Sequence, residues 1–271
     1  MQENRVKRVM REGGLALVSH TGFADPAIVE IIALAGFDGA FIDMEHTGFD
    51  LQLVGEMIRI ADLTGITPIV RVPENNAKLI LRVLEMGAQG IQVPHIEGLE
   101  GAKRAVAAVR YPPLGARGAA GSTRAAGYGA IPWREHVRTS NEEILLTVMT
   151  EDMPGINAIE AIAALDGVDL ISLGPTDLSA ALGITDPSDP RLRQTVEELV
   201  RKVNRIGKAK VYVPVYHPAL YLTPKDLLQL GVHYTSVAPP PPTIVLNALR
   251  ESAKRIREET SQQTTAGVNR P

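Results

Sequence analysis

Ionisable residues stand where short apolar segments of the chain end. Asp43, Glu45 and His46 follow one such segment, and Arg71 closes the next one. Carboxylates, an imidazole and a guanidinium can together bind ions and exchange protons. Charges scattered over a surface would not be expected to gather in this way, so these residues are candidates for a functional site.

Two further acids, Glu151 and Asp177, follow apolar segments later in the chain. Mg2+ prefers oxygen ligands and keeps several of its waters, so two carboxylates together with substrate oxygens are sufficient to hold it. The pair therefore indicates a site for a hard divalent cation. The alternative is that either acid forms an ion pair at the rim of the fold, for example with Arg71.

The residues from Gly174 to Asp177 are typical of a strand end that runs into a helix, with Pro175 in the first turn. The free N–H groups of Thr176 and Asp177 would then form a site for a carboxylate or a phosphate. An ordinary capped helix without a ligand is the alternative interpretation.

The segments that carry these residues belong to a repeated pattern. Six times, a helix-like amphipathic stretch ends at a glycine, and an apolar run follows within a few residues. Glycine closes the last turn of a helix in the left-handed conformation, and runs that are apolar on both faces are typical of buried parallel strands. The glycines are Gly36, Gly65, Gly87, Gly167, Gly207 and Gly231. With two further runs, the predicted strands are 14–19, 39–43, 67–71, 90–94, 144–150, 168–173, 210–215 and 232–237.

Eight alternating strand and helix units in about 250 residues predict an α/β fold, the (β/α)8 TIM barrel. A doubly wound open sheet is the structural alternative. In such barrels the chemistry gathers at the carboxyl ends of the strands, where the ionisable residues described above are expected to lie. No lysine is expected there, so a Schiff-base mechanism is disfavoured.

A single barrel domain is predicted for residues 1–259. Residues 111–141 contain several glycines with little periodicity, and they are expected to form a long loop over one barrel mouth. Residues 260–271 are polar and are expected to form a flexible tail.

The composition of the chain excludes several classes of function. Its 28 Lys and Arg residues against 31 Asp and Glu residues leave a net charge of −3, without the basic surplus that nucleic-acid binding needs. The absence of cysteine excludes disulfides, thiolate metal sites and a cysteine nucleophile, and it fits a cytoplasmic location. No apolar run is long enough for a membrane helix or a signal-peptide core, so no membrane association is expected.

Four short segments carry a family resemblance. They are 41–46 (FIDMEH), 70–73 (VRVP), 110–118 (RYPPLGARG) and 173–179 (LGPTDLS). Together, in this order and at predicted strand ends, they resemble the HpcH/HpaI family of metal-dependent pyruvate aldolases. The likeness runs from about Gly14 to Val237.

The resemblance implies a class II aldolase of the 4-hydroxy-2-oxoheptanedioate or 2-keto-3-deoxy sugar acid type. Such a lyase would reversibly cleave a 4-hydroxy-2-oxo acid to pyruvate and an aldehyde through a metal-bound pyruvate enolate. By the same resemblance, Glu151 and Asp177 would hold Mg2+, Mn2+ or Co2+, and Arg71 would bind the keto oxygen, which becomes the enolate oxygen. Histidine titrates near neutrality, so His46 would take and return the proton of the 4-hydroxyl group.

The remaining roles that the resemblance implies concern positioning. Gly174, Thr176 and Asp177 would bind the pyruvate carboxylate. Asp43 and Glu45 would orient His46 and the waters of the metal ion.

The resemblance also implies a homo-oligomer. Family members assemble as hexamers, and the acidic residue at the position of Glu85 would reach a histidine of a neighbouring copy. The other partners would be a small-molecule 2-oxo acid and an aldehyde.

Some positions differ from the common pattern of the family. Ala16 stands where many members have tryptophan, Met149 where glutamine is often found, and Glu85 where aspartate is usual. Residues 238–242 contain four prolines in place of a glycine-and-aspartate turn. Because proline has no N–H group, this loop cannot bind an anion through its amides, and it would form a stiff wall or a subunit contact.

Three histidines, His20, His95 and His217, follow predicted strands at the same mouth. They are interpreted as structural residues. If they act on substrate, they would shape the selectivity for the aldehyde.

Two other functions stay open from the sequence. A related lyase could use the same enolate chemistry, either as an oxaloacetate decarboxylase or on a CoA ester, although no basic patch for the CoA phosphates is evident. A catalytically silent protein that binds a metal ion and a keto acid is the third possibility, and the presence of His46, Arg71, Glu151 and Asp177 argues against it.

Overall fold

The apolar segments form eight parallel strands that close into a barrel, in a computed structural model that describes residues 2–186 and 189–268. The strands follow one another in chain order, and β8 pairs with β1. Their bounds are β1 Ala16–His20, β2 Gly39–Asp43, β3 Thr67–Arg71, β4 Gly90–Val93, β5 Leu145–Met149, β6 Leu170–Ser172, β7 Lys210–Tyr212 and β8 Tyr234–Ser236. The predicted (β/α)8 barrel is confirmed, and the open sheet is excluded.

Helices between the strands form the outer layer of the barrel, and one further helix lies at each end of the chain, before β1 and after β8. Their bounds are α1 Arg5–Arg11, α2 Ala27–Leu34, α3 Leu51–Thr64, α4 Ala77–Glu85, α5 Gly98–Val109, α6 Trp133–Glu143, α7 Met153–Asn157, α8 Ile159–Ala163, α9 Pro175–Ala181, α10 Pro190–Ile206, α11 Pro224–Gln229 and α12 Pro241–Val268. The six predicted helix-ending glycines all have a positive φ, between 74° and 104°. This conformation lets the chain turn from a helix into the next strand within a few residues.

Side chains alternate between the two faces of each strand. In β2, Ala40 and Ile42 pack outward against the helices, whereas Phe41 points inward with other buried apolar side chains of the barrel interior. Each fully buried side chain of this size stabilises the fold by about 1.5–3 kcal/mol. Asp43 lies on the same inward face as Phe41, two residues nearer the carboxyl end, so the alternation aims its carboxylate into the barrel mouth.

Helix α1 closes the opposite end of the barrel and was not predicted. Val6 is fully buried and packs with the inward apolar side chains. Asn4 caps the helix by accepting the N–H of Lys7, and its Nδ2 donates to the carbonyls of Gln89 and Glu143. The basic N-terminal segment is therefore an integral part of the barrel floor.

The loop expected over residues 111–141 is in part helical. The segment contains a 3-10 turn at Arg124–Gly129, and its last part belongs to α6. Because it joins α5 to β5, it lies at the amino ends of the strands, away from the mouth that carries the ionisable residues. Arg110 anchors it there by donating to the carbonyls of Ile144 and Gly167.

Residues 260–268 continue α12, so the tail expected to be flexible from residue 260 is helical through Val268. Residues 269–271 lie outside the described residues. From Ile244 to Thr260 the described side chains of α12 are all exposed, because the helix projects away from the barrel. In the described part of the chain, no helix combines the length and apolarity needed to cross a lipid bilayer.

Candidate active site

The mouth at the carboxyl ends of the strands encloses a cavity of about 350 Å³. Each strand contributes to its lining, through His20, Asp43, Arg71, Gln92, Met149, Ser172, Tyr212 and Ser236. The first turn of α9 and the loop after β8 complete the wall. The cavity is therefore built by the inward positions of the barrel strands.

An ion-pair network fixes the guanidinium of Arg71 in this cavity. Its Nε and Nη2 donate to the two oxygens of Asp43 at 2.9 and 2.6 Å, and its Nη1 lies 3.1 Å from Oε2 of Glu45. Burial alone would raise the pKa of Asp43, but the hydrogen bonds and charge of Arg71 outweigh it, and the pKa lies below its ordinary value. Asp43 is therefore a fixed anion that aligns Arg71.

The turn after β2 folds around the same carboxylate. Oδ1 of Asp43 accepts the backbone N–H groups of Glu45 and His46 at 3.0 and 3.4 Å. The imidazole of His46 is 67% exposed, and its Nε2 lies 3.5 Å from Oε2 of Glu45. Glu45 thus contacts the ring of His46 as the resemblance implies, whereas Asp43 contacts only its backbone.

Glu151 and Asp177 converge on Gly174. A Cβ at Gly174 would lie 2.8 Å from Oε2 of Glu151 and 3.6 Å from Oδ2 of Asp177, so a side chain at this position would intrude between them. Oε2 of Glu151 is buried and accepts no hydrogen bond from the described residues. Burial, and then the charge of Asp177, raise the pKa of Glu151 to about 7.

This pair of acids fits a divalent cation. A buried carboxylate oxygen without a hydrogen-bond donor, beside a second carboxylate, is stabilised by a positive ion between them. Within residues 2–186 and 189–268, no three His, Cys, Asp or Glu side chains form a metal-binding group. The chain would thus provide two oxygen ligands and leave the remaining positions to water and substrate. Arg71 pairs with Asp43 and Glu45 instead, so the alternative of an Arg71 rim ion pair for Glu151 or Asp177 is not what the structure shows.

Helix α9 begins at the same point. Gly174 is its N-cap and supplies no side-chain cap, and Pro175 occupies its first turn. The first N–H groups of a helix have no partner within the helix, so those of Thr176 and Asp177 are available beside the two carboxylates. Gly174, Thr176 and Asp177 all line the cavity, as the sequence predicts.

The three histidines occupy two different places. His20 and His217 line the cavity. Burial, followed by the charge of Arg71, lowers the pKa of His20 to about 4, and burial lowers the pKa of His217. His95 has a positive φ of 47°, and its Nε2 and Nδ1 lie 3.3 Å from Glu45 and 3.6 Å from Glu151.

Glu85 lies apart from the other candidates within one chain. It is the last residue of α4, immediately before β4, and therefore stands at the amino end of the barrel. Its neighbours there include Arg59, Arg82 and Arg124. His46 follows β2 at the carboxyl end, so Glu85 and His46 stand at opposite ends of the barrel within one chain.

Sequence reasoning missed the polar residues on the cavity floor. The hydroxyls of Tyr212 and Ser236 are 2.6 Å apart, and Nε2 of Gln92 lies 3.0 Å from Sδ of Met149. Side chains at alternate positions of a strand share a face, and this alternation in β7 and β8 would have placed Tyr212 and Ser236 on the inward face. Ala238 and Pro240 also line the cavity, which agrees with a wall formed by the proline loop.

Comparison with known proteins identifies the family. The HpcH/HpaI aldolase/citrate lyase family matches residues 18–223. A hydroxypyruvate/pyruvate aldolase of Roseovarius nubinhibens is 36% identical over 76% of this chain and 80% of its own. A 5-keto-4-deoxy-D-glucarate aldolase of Salmonella paratyphi C is 32% identical over 94% of this chain and 96% of its own.

Comparison with solved structures indicates the same family. The crystal structure of an HpcH/HpaI aldolase from Desulfitobacterium hafniense superposes with a TM-score of 0.84, at 25% identity, over 95% of this chain and 98% of that one. The chain therefore belongs to the HpcH/HpaI aldolase/citrate lyase family. It is a lyase of the aldolase class, which acts on carbon–carbon bonds.

Proposed function

We propose that the protein is a divalent-metal-dependent aldolase that reversibly cleaves a 4-hydroxy-2-oxo acid to pyruvate and an aldehyde. The observation that carries this proposal is the buried, unpartnered oxygen of Glu151 beside the carboxylate of Asp177. Relatives named as pyruvate, hydroxypyruvate and 5-keto-4-deoxy-D-glucarate aldolases support it, and they favour it over a decarboxylase or a CoA-ester lyase.

Glu151 and Asp177 would hold the ion, for which Mg2+, Mn2+ and Co2+ are the candidates. Once bound, the ion would withdraw electron density from the 2-oxo acid and favour the enolate. The N–H groups of Thr176 and Asp177 at the start of α9 would bind the carboxylate of the same acid, since a helix start attracts an anion. Gly174 leaves the space between the two acids open.

Arg71 would stabilise the charge that cleavage creates. Breaking the bond between C3 and C4 leaves its electron pair on the pyruvate half, where it becomes an enolate. A guanidinium stays charged at any physiological pH, and Asp43 holds it by two hydrogen bonds before the substrate arrives. A donor fixed in this way stabilises the developing oxyanion without reorganising during the reaction.

His46 would move the proton of the C4 hydroxyl. Cleavage removes this proton as the aldehyde forms, and the reverse addition returns it, so the group must act as both base and acid. Glu45 lies beside the ring and would stabilise its protonated form. In a hexamer, Glu85 of a neighbouring copy would approach His46, as the family resemblance implies.

Helix α12 supports the proposed homo-oligomer. Ile244, Val245, Leu246, Leu249 and Ile256 are between 43% and 64% exposed. A patch of this kind on a helix that does not pack on its own barrel marks a surface for association. The measurement is the mass of the particle in solution, which we expect to be that of six chains.

Deuterium exchange into pyruvate tests the catalytic proposal. The protein is incubated with pyruvate in deuterated water, with Mg2+, Mn2+ or Co2+ or with a chelator, and the methyl signal is followed by NMR. We expect exchange with metal ion and none with the chelator or in the Asp177→Asn variant. Asp152→Asn is the matched control, because Asp152 only caps α7 through the N–H of Gly155 and asparagine also caps helices.

Two results would overturn the proposal. Exchange that continues unchanged with the chelator would remove the metal ion from the chemistry. No exchange with any of the three ions would favour a silent protein that binds keto acids.

A further inference from the structure

The strands that bound the cavity divide it into two parts. Strands β2 to β6 provide the charged part, with Asp43 on β2, Arg71 on β3, and Glu151 and Asp177 after β5 and β6. The 2-oxo acid of the proposed function would bind there. The remaining arc consists of β7, β8 and β1, which are consecutive in the barrel. The part of the substrate beyond C4 would contact this arc, because β1 pairs with β2, and His46 follows β2.

The arc is polar. Tyr212, Ser236 and His20 reach the cavity from β7, β8 and β1, and His217 follows β7. The hydroxyl oxygens of Tyr212 and Ser236 are 2.6 Å apart, so one hydroxyl donates to the other. Whichever of the two donates, the pair keeps one O–H and several lone pairs for a third group. A substrate hydroxyl both donates and accepts hydrogen bonds, so it can bind to this pair.

The arc is also neutral. Burial keeps His20 uncharged near neutral pH, as it lowers the pKa to about 4. Among the described residues that line the cavity, Arg71 is the one arginine or lysine, and Asp43 and Glu45 already neutralise it. An aldehyde with a carboxylate or phosphate would therefore bring a charge into the arc without a cation to meet it, which is costly.

We propose that Tyr212 and Ser236, with His20 beside them, form a binding subsite for the hydroxyl groups of a neutral, hydroxylated aldehyde. This subsite rests on the aldolase function proposed above and defines the class of its second substrate. An alkyl aldehyde is disfavoured because it would bury the remaining O–H of this pair without an acceptor.

The test compares three aldehydes in addition to pyruvate. D-Glyceraldehyde is the neutral hydroxylated probe, 2-methylbutanal carries methyl groups in place of its two hydroxyls, and succinic semialdehyde carries a carboxylate. Initial rates of product formation give kcat/KM for each aldehyde at saturating pyruvate. We expect the value for D-glyceraldehyde to exceed each of the other two by at least about 10-fold.

Substitutions of the hydroxyl pair locate the subsite. Tyr212→Phe and Ser236→Ala are each expected to lower kcat/KM for D-glyceraldehyde about 3- to 10-fold, because each removes one neutral hydrogen-bonding group. The value for 2-methylbutanal and the KM for pyruvate should stay unchanged. Phenylalanine keeps the edge-to-face contact of residue 212 with Tyr234, whose ring centroid lies 4.8 Å away.

Tyr234→Phe is the matched control. Tyr234 is fully buried beneath the cavity, and its hydroxyl has no partner among the described residues. The same chemical change at this position should leave the ranking of the three aldehydes as it is in the unsubstituted protein.

The outcomes distinguish failure of the proposed subsite from failure of the aldolase function on which it rests. Equal rates with D-glyceraldehyde and 2-methylbutanal, a preference for succinic semialdehyde, or a loss in Tyr212→Phe that is the same for every aldehyde would overturn the subsite. Deuterium exchange into pyruvate without an aldehyde, measured on the same samples, separates this failure from that of the aldolase function. Exchange without aldehyde discrimination refutes the subsite alone, and absence of exchange in the unsubstituted protein refutes both.

Discussion

Replacing Glu151 by glutamine should stabilise the metal-free protein in a pH-dependent way. The pKa of Glu151 rises from an ordinary value of 4.5 to about 7, first through burial and then through the charge of Asp177. The folded state thus binds a proton between these pH values that the unfolded chain has released. Stability from this group is fully present below pH 4.5 and is lost as the pH rises through 7.

The pKa difference sets the size of the effect. It corresponds to about 3 kcal/mol of unfolding free energy over the whole titration, of which about 2 kcal/mol falls between pH 5 and pH 8. Glu151→Gln removes the titration, so its advantage over the unsubstituted protein should be about 2 kcal/mol larger at pH 8 than at pH 5.

Urea denaturation with a chelator, at pH values from 5 to 8, measures this difference. Above pH 7, excess Mg2+ should make the unsubstituted protein the more stable of the two, because an ion that binds only the folded state raises the unfolding free energy by mass action. Glu151→Gln should gain little from Mg2+, having lost one of two carboxylate ligands. Parallel unfolding free energies for the two proteins across this pH range would show that Glu151 is not a buried, raised-pKa carboxylate.

Four further substitutions test other parts of the site. Arg71→Ala should lower kcat at least about 100-fold with its circular dichroism spectrum unchanged, as expected for the loss of an oxyanion-stabilising donor, and normal turnover would remove Arg71 from the mechanism. Asp177→Ala should abolish Mn2+ binding in titration calorimetry, and retained affinity would exclude it as a ligand. Tyr234→Phe should raise the unfolding free energy by about 1 kcal/mol, since it removes a buried hydroxyl without a partner, and a loss of stability would contradict that reading. His217→Ala should change the ranking of aldehydes more than the KM for pyruvate, and an unchanged ranking across an aldehyde panel would refute it.

Local pattern was sufficient to predict the barrel. β2 and β3 have the predicted bounds. In a chain of alternating strands and helices, an apolar run after a helix-ending glycine is typical of a buried parallel strand. Helix α1 was missed because its few residues carry a single buried apolar side chain, Val6. Residues 133–143 were missed because they are mostly polar, and the helix buries His136 and Ser140 in place of an apolar stripe.

The candidate site was predictable where charge and strand ends coincide. Asp43 and Arg71 end their strands, and Glu151 and Asp177 come a few residues after theirs. Parallel strands bring such residues to one rim. Glu45 could not be assigned to the Arg71 network in this way, because only the turn around Asp43 brings its carboxylate to 3.1 Å from Nη1.

The sequence by itself predicted the fold class from periodicity and glycine positions, and the family from the resemblance of four short segments. Residue types at the strand ends predicted which end of the barrel carries the candidate site. Only the tertiary structure decided which polar groups meet across the barrel. The pairing of Tyr212 with Ser236 and the convergence of Glu151 and Asp177 on Gly174 depend on strand register and closure. Closure brings residues distant in sequence within hydrogen-bond range, and no local pattern encodes those distances.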